Sequence, residues 1–220
     1  MDNLSDLSGE LYRDVTDVAH STPHWFQQLA EVWTEAGLLL FGVLFLAGWW
    51  RTRTAPSGAM ALALLAPLAT GFGYVVSEAL KSLVDEERPC RAVAGAAASL
   101  VPCPPYGDWS FPSNHSAIAG AAAVALALSW RGMAWLTVPM ALLMAFSRVF
   151  VGVHYPHDVT VGLLLGGAVA FLVVKAATRP VRTLVDTART SGNGAVVWCV
   201  GRGPRQHAST RREGVRHGAY

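Results

Sequence analysis

The sequence predicts an all-α protein: a polytopic membrane helix bundle with about five spans, preceded by an amphipathic N-terminal helix. Three observations carry that prediction. Of the 220 residues, 52% are hydrophobic and only 15% charged, against about 25% charged in a soluble domain. The mean hydropathy is +0.35. The 21 Gly are set among long Ala, Leu and Val runs, a composition that lets membrane helices pack closely through small residues. So much apolar content with three Cys excludes a soluble globule, a disordered chain, a disulfide-dense scaffold and a collagen-like fibre.

The first segment, residues 1–32, starts Met1-Asp2-Asn3, which lacks the basic region of a signal peptide, and no long apolar run follows. Leu4 to Glu31 reads as one or two amphipathic helices on the outer surface. Leu7, Leu11, Val15, Val18, Phe26 and Leu29 form the face turned to lipid or bundle. Ser21-Thr22-Pro23 breaks the pattern and supplies an N-cap for a new helix.

The membrane domain, residues 33–178, contains five apolar segments: Trp33 to Trp50, Ala59 to Leu80, His115 to Trp130, Met133 to Phe150 and Asp158 to Lys175. A span needs roughly 20 mostly apolar residues. The third is short and Ala-rich, which places it inside the bundle, where neighbouring helices cover its ends. From Arg179 to the end the composition shifts to Arg, Gly, Ser and Thr, as in a flexible basic tail that can touch anionic headgroups.

Charge sets the orientation. The loop after Trp50, the turn at Arg131 and everything from Lys175 onward hold 12 Lys and Arg against two acids; the other side holds five against 13. Restricted to Arg51, Arg53, Arg131, Lys175, Arg179, Arg182 and Arg189, the count still puts that face, and the C-terminal tail, in the cytoplasm. The loop from Lys81 to Asn114 then lies outside. Cys90 and Cys103 fall in that loop, where a disulfide is permitted and free thiols are an equal alternative. Cys199, in the tail, is expected to be reduced.

Charged and polar residues near a bilayer call for a function, and here they cluster. Lys81, Arg88, Ser113, His115, Arg148, His154 and Asp158 all map to span ends that open on the external face. Three cations are too many for one carboxylate and suit a phosphoryl group, which Arg grips through two parallel hydrogen bonds. Pro112-Ser113-Asn114-His115 stands where the third span begins, with unpaired backbone N–H groups that attract anions; taken alone it is also an ordinary helix cap. Asn114 tolerates the tight-turn backbone, and Ser113 adds a hydroxyl donor.

In the stretch Ser147 to Asp158, Pro156 opens the fifth helix and Asp158 sits in its first turn. From there the carboxylate can accept from the His154 ring, fix its tautomer and favour the imidazolium, leaving the other nitrogen free as a nucleophile. His115 then has the chemistry to protonate a departing oxygen and later activate water. A rival use of His115, His154, His157 and Asp158 as zinc ligands is opposed by the three nearby cations. No His-Glu-x-x-His helix and no P-loop are present, and the reading requires no cofactor and no nucleic acid.

Lys81 with six residues before Arg88-Pro89, then Pro112-Ser113-Asn114-His115, then Ser147-Arg148 with five residues before His154 and three more before Asp158, resembles the three-part signature of the type-2 phosphatidic acid phosphatase superfamily. The length, the five spans and the amphipathic start are similar to the small bacterial undecaprenyl-diphosphatases of the bacitracin-resistance type. The resemblance covers roughly Ala19 to Ala177.

It implies metal-independent removal of a phosphate from a membrane lipid. His154 would be the nucleophile, Asp158 its partner and His115 the general acid. Lys81, Arg88, Ser113, Asn114 and Arg148 would hold the phosphate. Asn114 departs from the Gly usual in the family's second motif, a change that keeps the backbone N–H.

With the site outside, the expected substrate is a polyprenyl diphosphate recycled for envelope synthesis at the cell membrane. Phosphatidic acid, phosphatidylglycerophosphate or a prenyl-linked sugar phosphate is the alternative within enzymes. A lipid-phosphate binder or transporter without catalysis is the alternative of another class.

Overall fold

The computed structural model describes residues 2–204, and among these residues there is no strand. Helix α1 (Asp2–Ser21) ends at Thr22-Pro23. Gln27 Nε2 donates across the break to the carbonyls of Ala19 and Thr22, at 3.1 and 3.0 Å. The next helix, α2 (His24–Thr52), takes Pro23 itself as N-cap with no side-chain cap. It runs through residues 32 and 33 without a break, because neither Pro nor Gly interrupts residues 24–36.

Then follow α3 (Ser57–Lys81), the single turn α4 (Pro89–Ala92), α5 (Asn114–Ser129), a 3-10 turn (Arg131–Met133), α6 (Ala134–Phe150), α7 (Pro156–Thr190) and α8 (Gly194–Val200). Four of these segments, α2, α3, Arg131–Phe150 and α7, have the length and hydropathy of membrane spans; α5 is shorter. The molecule is thus an all-α, multi-pass bundle.

With 16 residues, α5 is about 24 Å long at 1.5 Å per residue, short of a bilayer core. It survives as the centre of the bundle: Ser116, Ala117, Ala119 to Ala123, Ala125 and Leu126 are all buried. One side packs on Phe41, Met140 and Met144, the other on Leu65, Ala66, Ala69, Ala170 and Val174. The tightest seam is with α7. A Cβ on Gly166 would collide with the backbone of Ala117, and one on Gly162 with the carbonyl of Ser113. Glycine lets two backbones touch there, and this contact fixes the start of α5 beside the start of α7.

Antiparallel connection places the C-terminus of α3, the N-terminus of α5, the C-terminus of α6 and the N-terminus of α7 at one end of the bundle. The opposite end differs from the flexible tail expected from Arg179. There α7 stays helical through Thr190 despite Pro180, because Val181 and Val185 bury against Met60 and Ala61. Helix α8 folds back: Trp49 Nε1 donates to the Cys199 carbonyl at 2.8 Å, Arg53 Nη2 donates to that of Trp198 at 2.6 Å, and the Arg53 guanidinium lies over Trp50 and Trp198. Residues 205–220 of the tail lie outside the described residues.

Helix α1 covers the bundle at the other end, and of the two directions open to its apolar stripe, lipid or bundle, Leu7, Leu11 and Val18 take the outward one. Ser8, Tyr12, Thr16 and Ala19 are buried, while Leu7, Leu11 and Val18 are exposed. Hydrogen bonding explains the choice. Tyr12 Oη donates to the Gly152 carbonyl at 2.9 Å, and Ser8 Oγ lies 2.7 Å from His157 Nδ1. Both partners flank His154.

Candidate active site

At the α1 end of the bundle a cavity of about 360 Å³ is lined by Lys81, Arg88, Asp108, Asn114, His115, Arg148 and His154, with Tyr74, Glu78, Pro104 and Ile118. Six of the eight sequence-predicted residues line it. Asp158 and Ser113 are the two behind its wall.

His154 sits in the short connection from α6 to α7 and is almost fully buried. Its Nδ1 lies 3.2 Å from Asp158 Oδ2. Asp158 is at the third position of α7, where its Oδ2 reaches back to the Tyr155 amide at 2.9 Å as an N-terminal cap. The same oxygen accepts from Ser110 Oγ. His157 Nε2 stands 3.1 Å from Asp158 Oδ1, off hydrogen-bond geometry, so that oxygen is held by charge alone.

On the other side of the ring, Nε2 lies 3.1 Å from Arg88 Nη1. A carboxylate only accepts and a guanidinium only donates, so Nδ1 carries the proton and Nε2 the lone pair. Burial pushes the His154 imidazole down to about 4 against the pull of Asp158, with Arg88 and Arg148 adding to the depression. The pairing therefore fixes the tautomer of a neutral ring, rather than the imidazolium expected from the sequence.

The cations come from three elements. Lys81 ends α3, Arg88 precedes α4 with Pro89 behind it, and Arg148 lies in the last turn of α6. All three are buried. Lys81 Nζ and Arg88 Nη2 both contact Asp108 Oδ1, at 3.0 and 2.8 Å. Arg88 Nη1 also donates to the Val153 carbonyl at 3.0 Å. Arg148 Nη1 donates to Thr34 Oγ1 at 2.9 Å and pairs at 3.5 Å with Glu35, which is largely exposed.

The start of α5 brings His115 and Asn114 to the cavity, Ser113 serving as N-cap. Asn114 is tethered to α3, accepting from Ser77 Oγ at 2.7 Å and donating to Glu78. Ser113 faces away from the cavity. Its amide donates to the Asp158 carbonyl at 3.2 Å, and its buried hydroxyl accepts from Ser116 at 3.2 Å. Its backbone ties the start of α5 to α7 at the close seam with Gly162. Pro112 stands one residue before the cap, not inside the helix.

The zinc set weighed from the sequence is not assembled. Among the described residues the donor atoms that converge are those of Glu86, His157 and Asp158. Here His157 Nε2 faces Glu86 at 2.9 Å, and neither His115 nor His154 joins them.

Three contributors escape the motifs: Asp108, Ser110 and Thr34. In the sequence Asp108 is one of many acids on the outer side, and nothing in spacing marks Ser110 or Thr34. Five residues before Asp108 the loop is pinned by a Cys90–Cys103 disulfide, the pairing the sequence permits.

A membrane-length helix bundle with three buried cations and a buried His–Asp pair around a cavity at one end defines a class: multi-pass membrane proteins with an anion-binding cradle at one mouth of the bundle. The chain belongs to the PAP2 superfamily, whose sequence pattern matches residues 61–182.

It is 38% identical over 112 residues to an undecaprenyl-diphosphatase of Sulfolobus acidocaldarius, covering 50% of this chain and 53% of that protein. It is 32% identical over 139 residues to undecaprenyl-diphosphatase BcrC of Bacillus subtilis, covering 63% and 68%. The first match thus spans only about half the length of its relative. The fold is similar to that of Aquifex aeolicus LpxE, with a TM-score of 0.60 at 24% identity, over 76% of this chain and 93% of that one.

Proposed function

We propose that the protein is a metal-independent lipid phosphatase that removes the terminal phosphate of a polyprenyl (undecaprenyl) diphosphate, releasing the monophosphate carrier for reuse in envelope synthesis. One observation carries this reading. His154 is held by Asp158 at Nδ1, while its lone-pair nitrogen meets Arg88 in a cavity that also holds Lys81, Arg148 and His115. A binder needs only the cations. A neutral imidazole fixed in one tautomer adds what turnover needs.

In the first step His154 Nε2 attacks the terminal phosphorus. A P–N bond forms, the anhydride P–O bond breaks, and its electron pair leaves on the bridging oxygen, which His115 protonates. In the second, His115 takes a proton from water, whose oxygen attacks the phosphohistidine and returns the electron pair to Nε2, freeing inorganic phosphate. Lys81, Arg88 and Arg148 stabilise the charge that builds on the equatorial oxygens.

The isoprene units next to the headgroup would lie in an apolar cleft of about 280 Å³ between α2 and α6, lined by Phe26, Leu29, Trp33, Leu143, Phe146 and Phe150, with the rest of the chain in lipid. The cleft reaches Ser147, the residue before Arg148. Each methylene buried there contributes about 0.8 kcal/mol. Charge asymmetry between the two ends of the bundle supports a site facing outward, with the α8 end in the cytoplasm.

The test is phosphate release from undecaprenyl diphosphate by purified protein in detergent, with and without EDTA, run beside phosphatidylglycerophosphate and phosphatidic acid. His154→Ala should abolish release and trapping of acid-labile phosphate on the protein, while lipid binding persists. Normal turnover by that variant would falsify the reading.

A further inference from the structure

The loop between the disulfide and α5 inserts a carboxylate into the cation cradle. Asp108 Oδ1 is 3.0 Å from Lys81 Nζ and 2.8 Å from Arg88 Nη2, and the Asp108 carbonyl accepts from Arg88 Nε at 2.8 Å. Two charged donors converging on one anionic oxygen is the arrangement a phosphoryl oxygen seeks. The cations are buried, but the Asp108 side chain is 42% exposed, so it has a solvent-side exit. Arg88, held by this carboxylate, also covers His154 Nε2.

We propose that Asp108 is the specificity-determining residue of the site: an internal carboxylate that holds Lys81 and Arg88 until a doubly charged terminal phosphate replaces it, and that a singly charged phosphodiester fails to displace. The proposal rests on the phosphatase reading and names the headgroup charge the site selects. A dianion at the same position has about twice the Coulomb attraction of the carboxylate it expels, whereas a monoanion has no such advantage. Burial pulls the Asp108 carboxyl upward, but hydrogen bonds from Arg88 and Lys81 outweigh it and hold the group below its ordinary value. It is ionised at neutral pH.

Exchange needs only a side-chain rotation, because the backbone is fixed on both sides. The Asp108 amide donates to the Pro105 carbonyl at 3.2 Å, its own carbonyl is held by Arg88, and Ser110 donates to the Glu86 carbonyl at 2.7 Å. The disulfide and a hydrogen bond from Arg91 to the Pro104 carbonyl anchor the stretch before it.

The experiment measures phosphate release from undecaprenyl diphosphate with inorganic phosphate or dimethyl phosphate as competitor, for the wild type, Asp108→Asn and Asp108→Ala. In both variants the inhibition constant of inorganic phosphate should fall about tenfold, the scale of one released charge-assisted contact. Dimethyl phosphate, inert on the wild type, should become an inhibitor. Unchanged or weaker inhibition in variants that still turn over overturns the proposal.

A second measurement uses the unaltered protein. Modification of Asp108 by a carbodiimide and glycine ethyl ester, followed by peptide mass, should accelerate when tungstate is bound; unchanged or slower labelling overturns the exchange. Failure of the wild type to release phosphate from any lipid would instead remove the phosphatase reading, and the labelling result judges Asp108 independently.

Discussion

Arg88 Nη1 stands 3.1 Å from His154 Nε2, so the cation proposed to hold phosphate rests on the nitrogen proposed to attack it. One guanidinium reaches Asp108, the Val153 carbonyl and His154 together, which the single point of an ammonium cannot do. Arg88→Lys should keep the charge and lose the geometry. We expect kcat/KM for phosphate release to fall by about two orders of magnitude, with kcat carrying most of the loss. A change under twofold would remove Arg88 from the transition state.

Asp158 Oδ2 receives His154, Ser110 and the Tyr155 amide. In Asp158→Asn the amide oxygen, placed where Oδ2 is, can still accept from all three, but the negative charge that stabilises the ring as it gains positive character during attack is gone. Phosphate release should drop about 10³- to 10⁴-fold, as when other His–carboxylate pairs lose their charge. Circular dichroism should stay helical, because the capping contacts survive.

The neutral ring of His154 also makes stability depend on pH. Its folded pKa of about 4 lies below the ordinary imidazole value of 6.5. Between these values the unfolded chain takes up a proton at this position and the folded one does not. Its contribution is therefore fully present above pH 6.5 and lost as pH falls through 4. Thermal unfolding midpoints in detergent from pH 7 to 4.5 should decline less in His154→Gln than in the wild type. Equal slopes would place the acid sensitivity elsewhere.

Length and hydropathy suffice for four membrane helices, and the Ala-rich composition of the shorter α5 marks it as the one inside the bundle, while the spacing of Lys81, Arg88, Arg148, His154 and Asp158 announces a converging site. What stays hidden depends on packing. Ser113 carries the right hydroxyl in the right motif, yet it lies behind the cavity wall, where its backbone meets Gly162. Asp108 looks like one more outer-loop acid until the disulfide and Arg88 fold it onto Lys81. Tyr12 anchors α1 through its hydrogen bond to the Gly152 carbonyl, a contact that apolar periodicity does not show. Val181 and Val185 hold α7 helical where Pro180 and a basic composition suggest its end.

The α5–α7 seam provides the last prediction, because it couples stability to site geometry. Gly166 faces the Ala117 backbone so closely that a methyl group fits only if the helices part. Overpacking of this kind costs about 1–3 kcal/mol and sometimes more. His115 lies two residues before Ala117, and Asp158 lies two turns before Gly166, so parting the helices moves one catalytic group against the other. Gly166→Ala should lower both the unfolding midpoint and kcat. Gly71→Ala, on a surface of α3 with nothing within 4 Å, should leave kcat unchanged and the midpoint equal or slightly higher, Ala being the better helix former. If both substitutions behaved alike, the seam would not be what sets the distance between His115 and the His154–Asp158 pair.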